Sequence, residues 1–364
     1  MSNPPDNAAL RILIAGEGRS PIHEDAWQHG LEAAGCAVER FDWMPRFRSS
    51  SGLRSLYLRA QNHLLLGPTI LALNADLVAR VLASRPDVLL LYRPTHALPS
   101  TLRLIREKTP ATLVVSYNND DPFSAKAPPH LWRHYLAGIP LTDIVLAYRE
   151  KNLAELRAAG ARRVHLMRSY YLPDLHHPVE LTASDRERYE ADVTFAGHYE
   201  PDGRIDYLAA VAEAFPHFRL FGPDWERAPD HPALRRLRPT FSLPHAEYVK
   251  AIQCAKIALV FFSGLNNDTY TRRVFEIPAI GTFMLSPRTV EMEGMFRHGI
   301  EADYFASPDE LVAKIQHYLV DEETRARIAA AGATRVRADG HDIFSRMHML
   351  VSLLREWRAG KSVT

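Results

Sequence analysis

Asn266-Asn267-Asp268-Thr269-Tyr270-Thr271-Arg272-Arg273-Val274-Phe275-Glu276-Ile277-Pro278-Ala279-Ile280-Gly281-Thr282-Phe283-Met284-Leu285 changes character twice along its length. It opens as a polar loop with two amides, a carboxylate and two arginines. Beyond Glu276 it becomes apolar, breaks at Gly281, and ends in Thr282-Phe283-Met284-Leu285, which reads as a short buried strand. A helix beginning near Thr271 would turn its unpaired N–H groups and positive dipole end toward the loop, a seat for a phosphate. Arg272 and Arg273 add fixed charge with forked donors that match phosphate oxygens. Glu276, about one turn further on, is placed to accept hydrogen bonds from sugar hydroxyls. The competing reading is a capped helix with a surface ion-pair cluster.

The rest of the chain has an α/β rhythm. Arg11–Ala15 reads as a buried strand, Gly16-Glu17-Gly18 as the turn at its carboxyl end, Glu24–Gly35 as a helix and Ala37–Phe41 as the next strand. Ligands of such a βαβ unit sit at the carboxyl ends of its strands. The glycine pair lacks the third glycine of the dinucleotide fingerprint, so it does not signal NAD. It is compatible with a tight turn or with a phosphate contact. Residues 43–84 read as helical and leucine-rich, a core pattern. Further strands are expected at 87–92, 113–117, 143–148 and 164–167. Residues 169–190, with Pro173, His176, His177 and Pro178, show no sustained period and read as a solvated linker. The rhythm restarts with strands at 192–196 and 218–221, and His198 and Trp225 stand in the loops after them. Thr240–Pro244 precedes an amphipathic helix that carries Tyr248, a strand follows at 257–262, and the chain closes with three helices, the last over roughly 343–357.

Composition narrows the function. With 364 residues, two domains are the natural expectation. Lys and Arg number 44 against 43 Asp and Glu, so no basic footprint calls for nucleic acid. Cys36 and Cys254, far apart in the chain, read as two buried free thiols, which suits a reducing compartment. Met1–Asn7 is polar, without the basic-then-apolar layout of a signal peptide, and the apolar runs are of strand length; a cytoplasmic protein is expected. Peripheral contact with a membrane stays open for an enzyme acting on lipid-linked sugars, although no basic amphipathic helix declares itself.

Arg273-Val274-Phe275-Glu276-Ile277-Pro278-Ala279-Ile280-Gly281 resembles the arginine, Phe-Glu, small-residue and glycine pattern of CgeB-like glycosyltransferases, the spore-maturation relatives of the group 1 glycosyltransferases. The Asp268-to-Glu276 spacing is similar to the E-x7-E element of retaining GT-B enzymes, with Asp in place of the first Glu. The likeness continues through Phe296–Phe305 and the Glu310-Leu311 helix, with weaker echoes at Asn119–Phe123 and Asp192–Gly197.

The resemblance implies the α/β GT-B fold, two Rossmann-like domains facing each other across a cleft. Residues 1–170 would form the acceptor-side domain, 171–190 the linker, 191–341 the nucleotide-sugar donor domain and 342–364 a helix crossing back. It implies a retaining, metal-independent hexosyltransferase, with a nucleotide sugar as donor and no further cofactor. Arg273, Arg272 and helix-start amides would stabilise the leaving diphosphate. Glu276 would hold the ribose and Asp268 the sugar hydroxyls, the shorter Asp side chain being the departure from the pattern. His198 would lie near the donor, and Ser242, Leu243 and Tyr248 would frame the base. Gly16 and Gly18 would face the cleft. Asp120 and Asp121 together invite a metal reading, and Asn118-x-Asp120 imitates the D-x-D motif of the other large glycosyltransferase fold, but the parallel-sheet setting argues against a metal. They are open to an acceptor-side role, a helix cap or a Pro-fixed turn. Glycan, lipid-linked glycan, protein and small-molecule acceptors all stay open. Two other functions fit the same architecture: a nucleotide-sugar epimerase, and a non-catalytic nucleotide- or sugar-binding protein.

Overall fold

The computed structural model describes residues 9–18, 20–50 and 52–360, so the reading of Met1–Asn7 lies outside the described residues. The chain divides into two compact units.

The first unit runs through Arg168 and takes back the chain from Ile343. Its six strands are β1 (Arg11–Gly16), β2 (Ala37–Asp42), β3 (Val88–Tyr92), β4 (Leu113–Asn118), β5 (Ile144–Ala147) and β6 (Val164–Leu166). They form one parallel sheet in the order β2-β1-β3-β4-β5-β6. β3 is buried at every position, as expected of a parallel strand covered on both faces. The order reverses between β1 and β3, so the crevice for a ligand opens at the carboxyl ends of those two strands. The last helix, Ile343–Arg358, packs on the Glu24–Ala33 helix, where Gly30 makes room: a Cβ there would come within 2.6 Å of Met347.

The second unit spans Ser169–Asp342. It holds β7 (Ala191–Ala196), β8 (Phe218–Phe221), β9 (Ala255–Leu259), β10 (Phe283–Pro287) and β11 (Asp303–Phe305), parallel in the order β11-β10-β9-β7-β8. Here the switch lies between β7 and β9. Phe195, Phe218, Ile257, Phe283 and Leu311 belong to one apolar cluster between the sheet and its helices.

Three sequence expectations change. The stretch expected to be an irregular linker contains a helix, Ala183–Tyr189, started by a reciprocal pair: the Asp185 amide donates to Thr182 Oγ1, and Asp185 accepts from the Thr182 amide. The short helix has too few apolar positions to show a period. Within the leucine-rich segment, Leu58, Leu65, Leu73 and Leu77 are buried, but Leu56, Leu64 and Leu71 face solvent. The Gly52–Leu64 helix buries only Leu58 and Gln61, so most of its leucines are not core. Cys36 is buried and Cys254 half-buried, both free. Among the described residues, no single helix is long and apolar enough to cross a membrane.

Candidate functional site

His198, Ser242, Leu243, Tyr248 and Arg273, scattered over 76 positions of sequence, line one cavity of about 230 Å³ in the second unit. Its floor is backbone at the carboxyl ends of β7 and β8. The Gly197 amide donates to Phe221 O at 2.9 Å, and the Gly222 amide to Phe241 O at 3.0 Å. Gly222 has φ +128°, and a Cβ on it would stand 2.1 Å from Gly197 O, so only glycine allows the two loops to meet. Trp225 is buried beneath them and donates from Nε1 to Gly197 O at 2.9 Å; it supports the loop and does not line the cavity.

The far wall is the start of the Arg273–Ile280 helix, two residues later than the sequence suggested, with Arg272 at its cap. The two arginines part ways there. Arg272 donates from Nε to Ser169 Oγ at 3.2 Å and lies over the Tyr170 ring, 4.8 Å from its centroid. Arg273 turns into the cavity, and its Nε is buried without a hydrogen-bond partner. No carboxylate pairs with it among the described residues. A buried cationic donor left open in this way is an anion site by chemistry.

Glu276, one turn on, is almost wholly buried. The Tyr248 hydroxyl is buried near both Arg273 and Glu276, close enough to feel each but outside good hydrogen-bond geometry. Burial, reinforced by the Glu276 charge, pushes its pKa well above the usual tyrosine value, so it stays a neutral donor. Behind Glu276 stands a residue assigned above to solvated linker: His176 is 2% exposed, with Nε2 3.7 Å from Glu276 Oε1. The Leu172 amide donates to His176 Nδ1 at 2.9 Å, which places the proton of the neutral ring on Nε2, facing the carboxylate. Burial lowers the His176 pKa against the opposing pull of Glu276. The adjacent prolines and charged residues hid it; only an isolated buried histidine among them marks the position.

A second group of charges was also missed. His198 Nε2 donates to Glu200 Oε1 at 2.7 Å, and Ser263 Oγ to Glu200 Oε2 at 2.7 Å. Arg204 lies 3.6 Å from Glu200 and is hydrogen-bonded to Asp202. Burial would raise the Glu200 carboxyl, but the bonds from His198 and Ser263 and the Arg204 charge together hold it below the usual range. This network ties the loop after β7 to the loop that follows β9 and carries Asp268. That loop is closed by the Asp268 amide donating to Ser263 O at 2.9 Å; Asp268 is half-buried and does not line the cavity.

In the first unit, Glu17, Ser20, His23, Glu24, Tyr92, Arg93, Asn119 and Asp120 line a cavity of about 260 Å³ at the β1–β3 switch. Arg93, with φ +48°, donates to Glu17 Oε1 and Asp120 Oδ2, both at 2.7 Å. Gly16 and Gly18 serve packing: a Cβ on Gly16 would meet Glu24 Oε1 at 2.6 Å, and one on Gly18 would meet Asp42 Cγ at 2.3 Å. Asp121 has no exposed face. It pairs with Lys151 at 2.9 Å and accepts from Asn152 at 3.0 Å and from the Phe123 amide at 3.1 Å, which fixes the Pro122 turn. Among the described residues no group of three or more His, Cys, Asp or Glu side chains could hold a metal.

Residues 204–352 match the Glycosyl transferase-like family. No curated protein sequence matches the chain. Solved structures with the same fold cover nearly all of it. Sucrose-phosphate synthase from Thermosynechococcus elongatus is 15% identical with a TM-score of 0.69, over 96% of this chain and 100% of that one. A glycosyltransferase from Rickettsia africae is 12% identical with a TM-score of 0.68, over 98% and 100%. Anabaena HepE in complex with UDP-glucose is 14% identical with a TM-score of 0.63, over 94% and 99%. The two parallel α/β units of this chain are thus those of the GT-B fold.

Proposed function

We propose that the protein is a glycosyltransferase that binds a nucleotide-sugar donor in the cavity of its second unit. One observation carries the reading: Arg273 lines that cavity with a buried Nε that has no hydrogen-bond partner, while Glu276 stands buried one turn along the same helix. A cation for the diphosphate and a carboxylate for a diol, at this spacing, suit a nucleoside diphosphate attached to a sugar. The match of residues 204–352 to a glycosyl transferase family and the UDP-glucose complex of a structural neighbour support the same chemistry.

In this reading Ser242 and Leu243 border the base, and Glu276 accepts from the ribose. Arg273 and the first amides of its helix neutralise the charge that develops as the bond from the anomeric carbon to the diphosphate oxygen breaks. The acceptor oxygen bonds to the anomeric carbon as its hydroxyl proton passes to the departing diphosphate oxygen, with the retention that the resemblance of Asp268 and Glu276 to the E-x7-E element implies; Asp268 is assigned to the sugar hydroxyls. We assign the acceptor to the first unit's cavity, where Arg93, Glu17 and Asp120 offer both signs of charge to a polyhydroxyl ligand.

The test is a thermal-shift screen of UDP, GDP, dTDP and CMP, each with and without magnesium. A nucleotide at 100 times its Kd should stabilise by about 2.7 kcal/mol. Arg273→Ala should abolish the shift, and Arg273→Lys should restore part of it. No shift with any nucleotide would overturn the donor site. Binding followed by sugar conversion without an acceptor would make the protein an epimerase.

A further inference from the structure

The Gly52–Leu64 helix of the first unit is amphipathic in the wrong direction for a core helix. Leu53, Leu56, Tyr57, Ala60 and Leu64 fall at i, i+3, i+4, i+7 and i+11, one continuous stripe, and all five are exposed. Leu53 is 85% exposed and Leu56 62%, and Leu66 and Leu71, further along the chain, are exposed as well. Leu58, on the far side, and Gln61, beside the stripe, are buried and hold the helix in place. Gln61 Oε1 accepts from the Thr69 amide at 2.8 Å, and Arg133 donates to Leu65 O at 3.0 Å. The stripe is therefore fixed outward. Contiguous exposed apolar surface of this kind marks a binding face.

Charge says what the face meets. Between Asp42 and Asp76 the sequence has no acidic residue, but it has Arg46, Arg48, Arg54 and Arg59. Arg54 flanks one edge of the stripe and Arg59, with His63, the other, at 100° per residue. Neither Arg54 nor Arg59 forms an ion pair among the described residues, whereas Arg46 is paired with Asp76 at 2.6 Å. Two copies meeting through this face would oppose arginine to arginine. An anionic surface with an apolar interior satisfies both features at once.

We propose that this helix docks the first unit on an anionic lipid surface, with Leu53, Leu56, Tyr57 and Leu64 entering the acyl boundary and Arg54 and Arg59 pairing with lipid phosphates. The inference stands independently of the donor site. The full chain is tested by co-sedimentation with vesicles of phosphatidylcholine alone and of phosphatidylcholine containing about 30% phosphatidylglycerol. The anionic vesicles should bind it at least roughly tenfold more strongly, and high salt should release it. Leu53→Ser/Leu56→Ser and Arg54→Glu/Arg59→Glu should each remove binding without lowering Tm, since these side chains support no core. The proposal is overturned if the protein stays in solution with anionic vesicles, if it binds both compositions equally, or if either double variant sediments like the wild type. A lipid-free dimer dispersed by Leu53→Ser/Leu56→Ser would instead identify the occupant as a second copy.

Discussion

His176 Nε2 lies 3.7 Å from Glu276 Oε1, with both side chains buried and the histidine proton directed at the carboxylate. The neutral ring faces Glu276 and fixes its direction. In the proposed donor site, Glu276→Gln keeps the size of the side chain but loses charge-assisted acceptance from the ribose. Such bonds contribute about 1.5–3 kcal/mol, so nucleotide affinity should fall by roughly 10- to 100-fold. His176→Ala should cost less, roughly threefold to tenfold, because the carboxylate remains but loses its fixed direction. Calorimetric titration with the tightest nucleotide checks both. Unchanged affinity in His176→Ala would remove the histidine from the site.

The same pair sets a pH dependence. Burial lowers the His176 pKa from its ordinary 6.5, so the folded chain resists a proton that the unfolded chain accepts. The stability this holds is complete above pH 6.5 and is lost as the pH falls from there through the lowered folded value. His134 and His165, lowered chiefly by burial, act in the same direction. Tm should therefore decline between about pH 7 and pH 5, and His176→Gln should flatten part of that decline. An identical slope in the variant would show that His176 does not control it.

Gly222 is held by the 2.1 Å approach that any Cβ would make to Gly197 O. Gly222→Ala must separate the two loops that floor the cavity, at about 3 kcal/mol or more. Gly203 supplies the control. It has φ +89° but open space around the missing Cβ, so Gly203→Ala should carry only the left-handed backbone cost of about 1–2 kcal/mol. Chemical denaturation should separate the two variants, and only Gly222→Ala should also lose the nucleotide-induced thermal shift.

The sequence revealed what depends on local pattern. Hydrophobic runs ending in glycine or polar loops located nearly every strand, because parallel strands are buried on both faces and read as unbroken apolar segments. The stretch from Asn266 to Leu285 drew attention to Arg273 and Glu276. It gave no means of separating Arg272 from Arg273, because which of two adjacent side chains enters the cavity depends on Ser169 and Tyr170, about a hundred positions earlier. His176 and Glu200 were hidden for the same reason: their partners are Glu276 and Ser263, and long-range pairing leaves no period to read. The outward leucines of the Gly52–Leu64 helix escaped because a helical stripe has the same spacing whether it faces a core or a membrane.

Asp120 and Asp121 are neighbours in sequence with opposite surroundings, and substitution should separate them. Asp121 is wholly buried and answers Lys151, Asn152 and the Phe123 amide. Removing one partner of a buried pair strands the other, so Asp121→Ala should destabilise the first unit by about 3 kcal/mol. Asp120 lies on the cavity wall and shares Arg93 with Glu17. In Asp120→Ala the arginine keeps its second carboxylate, so stability should change by less than about 1 kcal/mol. If the first unit's cavity takes the acceptor, Asp120→Ala should raise KM for the acceptor by roughly tenfold while leaving the donor's thermal shift intact. Denaturation curves and acceptor kinetics on the two variants check this division. A stable Asp121→Ala protein would mean that the Lys151 pair does not hold the turn. An Asp120→Ala enzyme with unchanged acceptor KM would move the acceptor away from this cavity.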